Sequence, residues 1–238
     1  EPYRRQRQMC IRDRYQTFEE FYDGYKALLD YYLDLSVKAQ YHSYEVMNQH
    51  VSFLFTSLLT DDCIARGKAL LDGGVRYLGG TNETYGNINT SDSLWVIRDL
   101  VFNQKKYTLR QLNDAMLANF NGYEALRKDC LNCDKYGNDL ETADTMANDL
   151  YEFVAKGVRD RGIAIGMQYF LIVISNNQLN TEWGNRTAAS PDGRLSCMYM
   201  NPANNPQGGA NKSGPTAMLN SLAKFDAKLS LIHISEPT

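Results

Sequence analysis

The sequence GNRTAASPDGR, Gly184 to Arg194, leaves an apolar run and spends eleven residues on small, polar and turn-forming types. Pro191, Asp192 and Gly193 in succession specify a turn by three separate means. Proline fixes φ at the second turn position, Asp bonds its own backbone, and Gly takes positive φ without strain. The run before it, MQYFLIVIS at Met167 to Ser175, is short, apolar and partly β-branched, with turn formers after it. That is the pattern of a buried strand. One strand cannot make a sheet. Its partners are either short and hidden in glycine-rich loops, or outside this stretch of sequence.

Outward from that strand the chain reads as helix. Thr17 with Glu20 forms a capping box, and Phe18, Phe21, Tyr22, Tyr25, Leu28, Leu29, Tyr32 and Leu33 follow at helical spacing. Helix is expected to about His50, with a second apolar segment to Leu59. A short helix is expected from Cys63 to Leu71, stopped by Gly73-Gly74, with Asp61 and Asp62 serving its N-terminus. GGVRYLGGTNETYGNIN reads as irregular backbone, too polar for a tight hairpin. Thr90 or Ser91 then caps a helix carrying Leu94, Ile97 and Val101. Thr108 and Gln111 form another capping box, opening a helix with Leu109, Leu112, Met116 and Phe120 in register. A short helix follows at Glu124 to Leu131. The next, Glu141 to Arg161, carries Met146, Leu150, Phe153 and Val154 on one stripe and ends at Gly162. Pro215, after Gly214, opens the last helix. No internal repeat is present.

At 238 residues with 43% apolar content, the chain can bury a core as one large domain or two small ones. A net charge of −3 gives no footprint for nucleic acid or an anionic membrane, and no apolar run is long enough to span a bilayer. Five cysteines, an odd count, do not suit a secreted disulfide framework, so a reducing cytoplasm is expected. The ends look foreign to the rest. EPYRRQRQMCIRDR, residues 1–14, is basic and aperiodic, and LSLIHISEPT, residues 229–238, ends abruptly after a short apolar run of its own. Both resemble translated adapter read-through, which leaves residues 15–228 as the natural segment and assigns no role to Cys10 or His233.

Residue types alone yield no active site. Cys130 and Cys133 give a single CxxC that closes a helix, without the second ligand pair a zinc site needs. Cys63 sits among apolar neighbours and reads as a small buried hydrophobe. His42 and His50 lack a ligand pattern. The glycines between Gly79 and Gly86 lack the spacing and lysine of a phosphate loop.

Several blocks in order change this reading. GNRTAASPDGR followed by KSGPTAMLNSLAKFD resembles the late part of the pyruvate formate-lyase domain of glycyl radical enzymes. DDCIARGKALLDGGVRY, YGNINTSDSLWVIRDLVF, YTLRQLNDAMLANFNGYE and KYGNDLETADTMAND resemble earlier blocks of that domain, in the same order. The resemblance covers about Ala39 to Asp226. It implies an α/β fold, a partial ten-stranded α/β barrel that is mostly helical in the piece present, with the strand before the PDGR turn in the barrel. The family-motif residues are Asp92, Ser93, Thr187, Asp192, Gly193 and Arg194, expected to be structural or near the barrel. Arg194 is expected in an internal ion pair, and Asp92 and Ser93 as helix-capping and packing groups.

The resemblance further implies a radical-based lyase or acyltransferase. In that family a backbone glycyl radical stands in an RVSGY-like stretch, and a thiyl cysteine stands in a GCVE-like block. Neither pattern occurs in this sequence, so no catalytic residue and no metal ligand is assigned, and the chain alone is expected to be inactive. TAAS stands where the family favours T-G-A-T, and LSCMYM replaces R-x-G-x-P-L, so the subfamily stays open. The expected partners are a small-molecule substrate, a radical S-adenosylmethionine activating enzyme and, at full length, a second copy in a homodimer. A helical interaction module is the alternative from another class, and a redox or zinc protein using the CxxC a third. A partial barrel is expected to aggregate or melt without cooperativity; a module would not.

Overall fold

The computed structural model describes residues 15–51, 53–167, 169–173, 177–226 and 229. Residues 1–14 and 230–238, with Cys10 and His233, lie outside the described residues, as do Gln168, Ile174 and Ser175 of the expected strand. In chain order, α1 (Phe18–His50), α2 (Leu54–Leu59) and α3 (Cys63–Arg66) precede strand β1 (Gly79–Glu83). Next come α4 (Asn87–Val96), α5 (Leu109–Leu117), α6 (Glu124–Asn132) and α7 (Glu141–Ala164). Strand β2 (Tyr169–Val173), α8 (Asn177–Asn185) and α9 (Gly214–Ala223) complete the order. The described residues divide into two compact units: 15–26, 84–151 and 177–226 belong to the first, 27–83, 152–173 and 229 to the second.

The second unit holds the strands. β1 and β2 pair in parallel, in a register running from Gly79 opposite Tyr169 to Glu83 opposite Val173. The partner of the expected strand therefore lies inside the glycine-rich stretch that its sequence marks as irregular. Only Thr81 in Gly-Gly-Thr-Asn-Glu is a strand former, so pairing and not propensity makes β1 a strand. α1 fixes it from the side: the Tyr44 hydroxyl donates to the Gly79 carbonyl and the Ser36 hydroxyl to Asn82 Oδ1, each at 2.9 Å. Leu33 and Val37 of α1 are buried, as are Ala155 and Val158 of α7. Leu33 Cδ1 sits 3.0 Å from where a Cβ on Gly157 would stand, so a larger residue there would push this packing apart. Arg161 ties the two helices through Asp30 at 2.6 Å.

Two expectations in this unit need correction. The helix beginning at Cys63 stops at Arg66, not Leu71, because Gly67 turns left-handed at φ 61° and its N–H closes on Cys63 and Ile64. A separate 3-10 turn, Leu70–Asp72, then ends at Gly73. Asp62 does not cap with its side chain. Its carboxylate accepts from Arg76 Nε at 2.8 Å and Nη2 at 3.1 Å, and that pairing holds its pKa below the usual value.

In the first unit both expected capping boxes form. Glu20 N donates to Thr17 Oγ1 at 3.2 Å, and Gln111 N to Thr108 Oγ1 at 3.1 Å, with the reciprocal side-chain bonds present. The first turns of α1 bring Phe18 edge-on to Phe102 with ring centroids 6.0 Å apart, and the Arg98 guanidinium lies over Phe18. α4 runs on into a π-helical segment, Ile97–Asn103. On α7, Met146 and Leu150 are buried as the periodicity predicts, joined by Ala147 and Tyr151. Phe153 and Val154 are only half-buried, and the helix continues past Gly162 to Ala164. Phe225, just beyond α9, packs between Tyr136 and Tyr151 at 5.4 and 4.9 Å.

Candidate functional site

The site grows from α4, a helix buried almost all round although it carries Asn89, Ser91, Asp92 and Ser93. It starts at Asn87 after a left-handed Gly86, ahead of the expected Thr90 or Ser91 cap. The reason is a cap from far away in the chain. The backbone N–H groups of Ile88 and Asn89 donate to Asn201 Oδ1 at 3.2 and 3.1 Å, while Asn201 N donates back to Asn89 Oδ1 at 2.8 Å. Two free donors of the first turn are thereby satisfied by a residue no local pattern could supply.

Asn89 then reaches the PDGR turn. Its Nδ2 donates to Asp192 Oδ2 at 2.6 Å and to Gln207 Oε1 at 3.1 Å. The other carboxylate oxygen, Asp192 Oδ1, accepts from the Ser190 hydroxyl and from Arg194 N. Asp192 N donates to Ser93 Oγ at 3.2 Å, and that hydroxyl donates to the Asn89 carbonyl at 2.6 Å. Gly193 N closes the turn on the Ser190 carbonyl at 3.0 Å. Gly193 itself sits at φ 95°, and a Cβ there would come within 2.7 Å of Leu131. Both facts demand glycine. Its carbonyl accepts from Arg127 Nε at 2.9 Å, which docks the turn on α6.

Arg194 is buried, as an internal arginine should be, but the expected ion pair does not form among the described residues. Its guanidinium donates to the carbonyls of Ala188, Leu195 and Met198, and Nε to Ser190 Oγ. Five donors in a fixed fork can gather several strands of irregular backbone at once, which a single carboxylate would not do. Burial draws its pKa below the usual value. Thr187 stands apart from the network, its hydroxyl on the Trp183 carbonyl at the end of α8. It meets Ser93 and Arg194 along the wall of a cavity of about 310 Å3.

Asp92 is in the helix interior and caps nothing. One oxygen accepts from Tyr136 N at 2.9 Å; Oδ2 has no partner among the described residues. Burial pushes its pKa up to about 8, against the pull of nearby Lys135, so the carboxyl is protonated at neutral pH. A second junction, unforeseen in sequence, ties α9 to the start of α7. Ser221 Oγ accepts from Asp139 N and donates to Asp144 Oδ2, each at 3.0 Å. Lys224 pairs with buried Asp144 at 2.8 Å and with Asp139 at 3.0 Å, and these bonds raise its pKa. The SLAK block carries this junction, and its S-x-A-K spacing is the one signal that could have pointed to it.

The CxxC thiols are suppressed. Burial pushes Cys130 up to about 12 and Cys133 up to about 11, so neither is an activated thiolate for redox exchange; among the described residues no three His, Cys, Asp or Glu side chains are grouped to hold a metal ion. Cys63 is buried at the start of α3.

With this geometry in view, known proteins supply the class. A glycyl radical enzyme from Archaeoglobus fulgidus superposes with a TM-score of 0.83 at 25% identity, over 92% of this chain and 28% of that one. The B12-independent glycerol dehydratase from Clostridium butyricum gives a TM-score of 0.85 at 28% identity, over 91% of this chain and 28% of that one. The trans-4-hydroxy-L-proline dehydratase of Clostridioides difficile is 31% identical over 213 residues, 89% of this chain and 27% of that protein. The family model for pyruvate formate lyase-like proteins matches residues 6–179, and the chain belongs to that family. It spans just over a quarter of the length of these relatives.

Proposed function

We propose that this chain is part of a longer glycyl radical enzyme of the lyase type, and that its described portion contributes wall to an enclosed reaction chamber. The observation that carries this is the superposition on a solved dehydratase over 91% of the chain at a TM-score of 0.85. Two of the three relatives named above are dehydratases, which favours cleavage of a carbon–oxygen bond in a small hydroxylated substrate over acyl transfer. A glycyl radical, relayed through a cysteine, would supply hydrogen abstraction from that substrate. The sequence holds neither the RVSGY-like nor the GCVE-like block; Cys63 and Cys130 are buried, and half-buried Cys133 and exposed Cys197 stand outside any such block. Both reacting groups therefore belong to other segments of the longer polypeptide.

The part played by this chain's own residues is positioning. β1 and β2, paired in parallel, are two staves of a ten-stranded α/β barrel whose remaining strands lie elsewhere. Asp192, Gly193, Arg194 and Ser93 lock the return after the second stave to α4, Asp92 anchors the backbone at Tyr136, and Thr187 ends α8. None of them is assigned to the reacting atoms. This reading is supported by how fully Asp192 and Arg194 are spent on internal partners. The full-length protein would work in an anaerobic cytoplasm as a homodimer, after activation by a radical S-adenosylmethionine enzyme. Among the described residues no helix is long and apolar enough to cross a membrane.

The test is anaerobic expression of the complete reading frame with such an activase. A glycyl radical doublet in electron paramagnetic resonance, lost on substituting the radical glycine, is the expected result, with no signal from the 238-residue chain alone. A complete reading frame that gives no radical after activation would overturn the proposal.

A further inference from the structure

The turn that Asp192 builds borders a second cavity in the first unit, of about 380 Å3. Its lining includes Arg127, Lys128, Lys135, Arg194 and Lys212, against Asp192 and Asp92 as the acidic groups. The balance is strongly positive, because Asp192 is one carboxylate among five cations and buried Asp92 holds its proton at neutral pH. Only part of this positive charge is met from within, by the Asp192 carboxylate acting on Arg194. Lys135 is buried with its ammonium on the Cys130 and Cys133 carbonyls, at 2.6 and 3.2 Å, and Arg194 spends its donors on carbonyls and a hydroxyl. Arg127 gives Nε to the Gly193 carbonyl. None of Arg127, Lys128, Lys135 and Lys212 has an ion-pair partner among the described residues. Carbonyl dipoles satisfy hydrogen bonds but bring no full charge, and buried cations without a counter-charge are costly.

We propose that this cavity binds a small oxyanion of the phosphate class, free or carried on a small metabolite, with Arg127, Lys128 and Lys212 as the contacting cations and Lys135 and Arg194 as the buried charges behind them. A guanidinium fork with mobile ammonium groups is the donor set suited to phosphate. The volume lies within the usual range of small-molecule sites. The inference rests on the first unit alone and does not depend on the radical chemistry proposed above.

Inorganic phosphate is the probe, titrated calorimetrically into the full chain, with its circular dichroism recorded as a control on folding. One saturable site is expected. The double substitution Lys128→Ala/Lys212→Ala removes two exposed charges and should weaken binding about tenfold, the equivalent of about 1.4 kcal/mol. Lys38→Ala/Lys156→Ala makes the same charge change in the other unit and should leave binding unaltered. As a second readout, saturating phosphate should slow acetylation of Lys128 and Lys212, read by mass spectrometry, but not that of Lys38. A metabolite-borne phosphate, tested with glycerol phosphate, would bind more tightly than phosphate itself if the cavity takes the whole molecule, and equally if it reads the oxyanion alone; either result supports the site. No saturable uptake of phosphate, or equal weakening by both double substitutions, would overturn it.

Discussion

At the scale of single residues, Asp92 is the group whose chemistry departs furthest from its ordinary state. It lies in the middle of α4 with one oxygen on Tyr136 N and the other without a partner among the described residues. Burial raises its pKa to about 8, Lys135 and the Tyr136 bond oppose that rise, and Asp192 and Asp144 add to it. In the unfolded chain it titrates at its ordinary value, so between the two values the folded state holds a proton that the unfolded state has released. Stability attributable to Asp92 is therefore fully present at low pH and falls as pH rises toward 8, by at most about 1.4 kcal/mol per pH unit. Asp92→Asn keeps the acceptor for Tyr136 N and removes the titration. Urea midpoints of the two proteins should diverge between about pH 5 and pH 8, with the variant gaining on the parent as pH rises. Parallel lines across that interval would mean that Asp92 is not held neutral in the fold.

At the scale of elements, local signals were strong where a helix start is written in neighbouring residues. The Thr108–Gln111 box forms as the sequence states, with Thr108 N on Gln111 Oε1 at 2.8 Å. Thr108→Ala should cost about 1 kcal/mol in chemical denaturation, and Thr108→Ser should restore most of it. A loss below about 0.3 kcal/mol would show that packing of Leu112 and Ala115 alone holds α5. Other starts were illegible for a physical reason. α4 is capped by Asn201, more than a hundred residues away, so its true beginning carries no local mark and Thr90 and Ser91 stand as decoys. β1 was hidden likewise, because glycine and asparagine have poor strand propensity and only pairing with β2 imposes the extended backbone. The candidate site was half legible. The NINTSDS and SPDGR blocks were visible as separate stretches, and the turn chemistry of Pro191-Asp192-Gly193 was readable outright. That Asn89 and Ser93 would clasp Asp192 depends on tertiary contact, and so does the replacement of an ion pair at Arg194 by three carbonyls.

At the scale of the whole molecule, the distribution of apolar surface fits a chain that spans just over a quarter of its relatives. The sharpest case is α2 in the second unit, a helix with its polarity inverted. Its only buried residue is Ser57, whose hydroxyl donates to the Phe53 carbonyl and accepts from Leu70 N at 2.9 Å. Leu54, Phe55 and Leu59 are 70, 75 and 72% exposed, and Leu58, Ile64 and Tyr77 of the same unit are exposed as well. Each large side chain left in water forgoes about 1.5–3 kcal/mol of burial free energy, so several together drive association. The chain should therefore self-associate, with sedimentation coefficients that rise with concentration and with strong binding of a hydrophobic dye. Leu54→Asp/Leu59→Asp should suppress both while leaving the helical circular dichroism unchanged, because neither side chain is part of the core. In the longer polypeptide proposed above, where the remaining chain would cover this face, the same two substitutions should instead lower the melting temperature. A parent chain that sediments as one concentration-independent monomer and excludes the dye would show that this face tolerates water, and would remove the main physical reason to regard α2 as built for a larger body.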